Sequence, residues 1–130
     1  MKHAMGFAVI FVLIVFGVVL SQKREKRQWA YVLRPARLES LTKGMTEAEA
    51  KIRQEHFAHL QKKYEEGVIT YVGRTDKWDE STFGIAIFYA DSEDEARRIM
   101  ESDPGVKKGL QIGTLYPFKS VFGEVVGKSK

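Results

Sequence analysis

Seventeen consecutive residues without a charge, Ala4 to Leu20 (AMGFAVIFVLIVFGVVL), divide this chain before anything else does. A helix that crosses a bilayer needs about 20 predominantly apolar residues, with a working range of about 17–25. The apolar core of a secretory signal is shorter, at about 7–15 residues. Nothing on the stretch is polar enough to face water, which counts against a helix at the edge of a globular core. Two readings stay open: an uncleaved membrane anchor, or a secretory signal removed near Ser21. Lys2 gives either one a positive N-terminal flank. The run Lys23-Arg24-Glu25-Lys26-Arg27 favours the anchor, because cationic flanks stay on the cytoplasmic side and oppose export of the domain behind them. The expected layout is a membrane segment with a basic flank over 1–27, one folded domain over 28–122 facing the cytoplasm, and a loose tail over 123–130. Export after cleavage is the alternative.

The charge distribution follows the same division. The chain carries a formal net charge of +4, but residues 1–27 hold five cations against the single acid Glu25, and the rest balances at sixteen of each sign. A nucleic-acid binder needs clustered cations to displace counterions from phosphates. The domain has no such surplus, so no nucleic-acid partner is expected. There is no cysteine, which excludes disulfides, thiolate zinc sites, iron–sulfur clusters and a cysteine nucleophile. With 44% hydrophobic residues the domain can bury a core.

The pattern of the domain reads strand, helix, strand, strand, helix, strand. Trp29–Leu33 is rich in aromatic and branched residues and predicts the first strand. Residues 34–46 form a long polar connection. Thr46 caps a helix with Glu47 and Glu49 in its first turn, and the helix runs to Glu66 before Gly67. Val68–Val72 and Phe83–Ala90 predict strands on either side of a charged turn over 74–81. Ser92-x-x-Glu95 is a capping box for a second helix, which must stop near Asp103 because Pro104 disfavours helical geometry in the residue before it. Gln111–Tyr116 is the last strand. Two helices cannot cover both faces of a four-stranded sheet, so both are expected on one face. The other face then carries Trp29, Tyr31, Ile85 and Ile87, or their alternates, and an open apolar face calls for a partner. The economical architecture is an α+β, ferredoxin-like βαββαβ sandwich with an antiparallel sheet, paired face to face as a homodimer.

Plotted at about 100° per residue, the first helix has an apolar stripe containing Ala48, Ile52, Phe57, Leu60 and Tyr64, with Arg53 inside it. His56 falls near the centre of that stripe and His59 towards its edge. A histidine there must replace its lost hydration with a partner. One reading is a core histidine bonded to a backbone carbonyl. The other is a general acid or base in a pocket. Asp103, at the end of the second helix, is the carboxylate on offer, although Asp-Pro alone is only a helix terminator. Arg53 either pairs with a carboxylate or meets an anion at a pocket mouth. No further ligands sit at matching positions around His56 and His59, so neither a metal nor another cofactor is expected.

Several motifs together resemble the YciI-like (YCII-related domain) family. They are Arg53-x-x-His56-x-x-x-Leu60, Gly67 and Gly73, Ser92-x-x-Glu95-Ala96, Asp103-Pro104-x-Val106-x-x-Gly109, and Pro117-Phe118. The resemblance spans about residues 29–122. It implies a ferredoxin-like fold paired as a dimeric α+β barrel, related to muconolactone isomerase-like proteins, and a catalytic pair at His56 and Asp103. A member has been linked to dehydrochlorination of a hydroxyquinol, so the resemblance implies lyase, isomerase or dehydrochlorinase chemistry on a small anionic or phenolic molecule. Where many members read Gly-Pro after the second strand, this chain reads Gly73-Arg74-Thr75, which would place Arg74 as an anion-binding residue if that turn lines the pocket. The alternative is a membrane-anchored module that binds a ligand or dimerises without catalysis.

Overall fold

A computed structural model describes residues 25–123. The apolar segment 4–20 and all but the first residue of the expected tail lie outside the described residues. The elements in chain order are β1 (Arg27–Pro35), α1 (Glu39–Thr42), α2 (Glu47–Glu65), β2 (Ile69–Arg74), β3 (Gly84–Ala90), α3 (Glu93–Ser102), α4 (Pro104–Lys107) and β4 (Gln111–Pro117). The strands form one antiparallel sheet in the order β2-β3-β1-β4. Each helical crossover therefore skips one strand, and two interleaved β-α-β units result.

Local chemistry explains the helix ends. Thr46 and Glu49 form a complete capping box at α2, each side chain accepting from the other's backbone N–H. At the other end Gly67 takes a φ of +77°, which lets Gly67 and Val68 donate to the carbonyls of Tyr64 and Lys63. Ser92 caps α3 through Glu95 N–H, but the Glu95 carboxylate bonds Asp91 N–H instead of closing the box. The polar connection also holds structure that its composition hid: α1 is a single turn within it.

Strand register corrects one expectation. Trp29 pairs with Phe88 and Tyr31 with Ala86, whereas Ile87 pairs with Ala30 and Ile85 with Val32. Directly paired residues share a face. Trp29 and Tyr31 thus lie opposite Ile85 and Ile87, not beside them. Trp29, Tyr31, Leu33, Ala86, Phe88 and Ala90 form the core face, packed under Leu60 of α2 and Ala96 and Met100 of α3. The opposite face carries no helix among the described residues, and Tyr71, Tyr89, Ile112 and Tyr116 are exposed on it.

The orientation of α2 also differs from the plotted stripe. Only His56 and Leu60 are fully buried, while Arg53, Phe57 and Tyr64 are exposed. One flank of the apolar stripe faces a cavity and solvent instead of the core.

Candidate active site

Asp103 owes its position to Pro104. Proline steers the preceding residue away from helical geometry, and Asp103 takes φ −63° and ψ 122°, ending α3. Proline at the first position of α4 leaves Asp103 as that turn's N-cap, and its Oδ1 accepts from Gly105 N–H at 2.9 Å. Asp103 therefore ends one helix and caps the next. The Lys108–Glu55 ion pair at 2.6 Å ties α4 against α2 and brings the two elements to bear on each other.

On α2, His56 meets that carboxylate. Its Nδ1 lies 2.6 Å from Asp103 Oδ1, with His56 5% exposed and Asp103 fully buried. Tyr31, on the core face of β1, donates its hydroxyl to Asp103 Oδ2 at 3.1 Å. Burial, and the charge of Asp103 beside it, push the Tyr31 phenol far above the ordinary tyrosine range, so it stays a donor. Asp103 thus receives three hydrogen bonds. That is the condition under which a buried carboxylate, which would otherwise cost several kcal/mol, is tolerated. An ionised carboxylate that already takes a hydroxyl and an amide proton only accepts, so it selects a ring with the proton on Nδ1; in the neutral form of that ring Nε2 is the acceptor.

His56 also lines a cavity of about 300 Å³. Apolar side chains, among them Leu33, Leu41, Met45, Leu60 and Val72, form most of its wall. Met45 and the α1 residues Ser40 and Leu41 come from the connection read as plain linker. Arg53 and Arg74 line the same cavity. Neither has a carboxylate within ion-pair distance among the described residues. The structure therefore gathers His56, Arg53 and Arg74 at one cavity, with Asp103 behind the histidine.

Sequence reasoning missed Tyr31, Trp78, Gly105 and Gln111. Tyr31 carried no local mark, because it lies 72 residues from Asp103. Gly105 occupied an unassigned position within the Asp-Pro motif. A Cβ there would clash with Gln111 Oε1 and would sit 3.0 Å from His56 Nδ1 and 3.2 Å from Asp103 Oδ1. Gln111 can swing aside, but His56 is pinned. Gly105→Ala is accordingly expected to destabilise the domain by about 1–3 kcal/mol, read as a shift in the urea unfolding midpoint, and to displace the His56 ring resonances. His59 is half-buried with Nε2 unpartnered, and burial draws its pKa below the ordinary histidine value. No three metal-ligating side chains converge among the described residues.

Residues 18–119 match the sequence model of a family described as YCII-related domain. No curated protein matches the chain significantly.

Proposed function

The chain belongs to the YCII-related domain family, and on that premise we propose that it is a small-molecule enzyme in which His56 and Asp103 act as an acid–base pair. His56 takes a proton through Nε2 from a carbon next to a carbonyl, or from a ring hydroxyl. Asp103 fixes the tautomer and steadies the imidazolium that forms. The reaction is of the lyase, isomerase or dehydrochlorinase type, on a small anionic or phenolic ligand held by Arg53 and Arg74. One observation carries this reading: a histidine bonded through Nδ1 to a buried carboxylate borders a cavity large enough for a small ring compound. Cavities of about 300 Å³ stand at the lower end of ordinary ligand sites.

The rest of the proposal concerns placement. The open apolar sheet face supports pairing of the ferredoxin-like sandwich with a second copy, as a dimeric α+β barrel. Residues 4–20 hold the domain at a membrane, on the cytoplasmic side, with the basic run 23–27 as the reason for that orientation.

Nitrogen-15 NMR of the imidazoles tests the pair. His56 is expected to show a protonated Nδ1 and a bare Nε2, with Nε2 shifting when a quinol or lactone ligand is added. A proton on Nε2 and none on Nδ1, or no response to any ligand at saturation, would overturn the acid–base assignment.

A further inference from the structure

A row of cation–π contacts stands at the cavity, and it narrows the substrate class. It rests on the reading of the cavity as a small-molecule site. The Arg53 guanidinium carbon lies 5.8 Å from the Phe57 ring centroid and 5.9 Å from that of Trp78, and the Arg74 carbon lies 4.6 Å from that of Trp78. All four residues line the same cavity as His56. The turn that presents Trp78 is tied to itself: Ser81 N–H bonds Asp79 Oδ1 at 2.8 Å, and the Thr82 hydroxyl donates to Lys77 O at 2.7 Å while accepting from Asp79 N–H at 3.1 Å.

A cation–π contact uses the charge of a guanidinium and does not consume its N–H donors. Arg53 makes no side-chain hydrogen bond to another described residue, and Arg74 makes one, to Thr75 O at 3.3 Å. Arg37 and Arg97, which do not line the cavity, are each paired with a glutamate. Two cations beside one ring, both short of acceptors, form a site for an anion. A carboxylate is the planar two-oxygen acceptor that the guanidinium fork fits best. Most of the rest of the wall is apolar and suits a ring. Arg53 and His56 are three residues apart on α2, hence neighbours on its surface, so a compact ligand can reach both.

We propose that Trp78 is a positioning residue that holds Arg53 and Arg74 as a carboxylate clamp, and that the substrate is a compact cyclic or aromatic carboxylate whose ring faces His56.

The test is calorimetric binding of benzoate, benzyl alcohol and phenyl phosphate to the full chain in detergent micelles. Benzoate is expected to bind at least about tenfold more tightly than benzyl alcohol. Arg53→Gln, Arg74→Gln and Trp78→Ala are each expected to weaken it by about tenfold or more. Trp78→Phe should restore most of the loss at an unchanged melting temperature, and Arg97→Gln should change nothing. Equal affinity for benzoate and benzyl alcohol, a preference for phenyl phosphate, or loss in Trp78→Phe equal to that in Trp78→Ala would overturn the clamp. The two readings fail separately. Benzoate binding with no turnover of any carboxylate, quinol or lactone would leave the clamp standing and remove the enzyme. Turnover at His56 of substrates lacking a carboxylate, with benzoate neither binding nor inhibiting, would do the reverse.

Discussion

His56→Gln is expected to lower turnover by about 10²–10⁴-fold, the range that a positioned acid–base group contributes. Glutamine is the informative replacement because its amide can still donate towards Asp103 and so spare the buried acid from losing a partner. It cannot take up and return a proton near neutral pH. The measurement is kcat on whichever quinol, lactone or cyclic carboxylate a substrate screen identifies, alongside the urea unfolding midpoint. A midpoint near wild type with turnover reduced by that factor is the expected pattern. Unchanged turnover in a folded variant would remove His56 from the chemistry.

The second large effect falls on stability. Asp103→Ala strips the acceptor from Tyr31 Oη, His56 Nδ1 and Gly105 N–H at once, and it removes the N-cap of α4. Each buried donor left without its acceptor costs about 1–3 kcal/mol. Natural domains hold only about 5–15 kcal/mol in reserve. The variant is expected to unfold at a much lower urea concentration, and any residual fold can be followed by tryptophan emission. Asp103→Asn keeps the shape and an acceptor for Gly105 N–H, but it places an amide donor in a site with three donors already present. It should therefore lose less stability than the alanine variant while turnover still falls, because the tautomer of His56 is no longer fixed. A midpoint for Asp103→Ala equal to wild type would show that the buried network contributes nothing.

The two ends of the His56–Asp103 contact were legible for different reasons. His56 stood out because a titratable ring sat in an apolar helical stripe, and Asp103 because Asp-Pro marks where a helix must end. Local pattern is enough for both. Their meeting is not local, since 47 residues separate them, and it rested on the resemblance. Tyr31 was invisible as a third member: nothing in an aromatic-rich strand says which ring points at an acid. The faces of the sheet were mixed because alternation within one strand gives period and not the pairing between strands. The shift of α2 has a related cause. The stripe on the wheel is wide because it serves two surfaces, a core through Leu60 and a cavity through Arg53 and Phe57. Trp78 was hidden in a segment that reads as a charged turn.

A proline ring that makes no bond to the imidazole nevertheless sets its bearing. Were Asp103 free to adopt helical geometry, α3 could wind onward, and the acid would be carried round the helix axis, away from α2. The direction in which His56 faces is thus written in the backbone torsion of the acid itself, imposed by the ring one position past it, and the chain can vary the far side of that elbow only by means that preserve the kink.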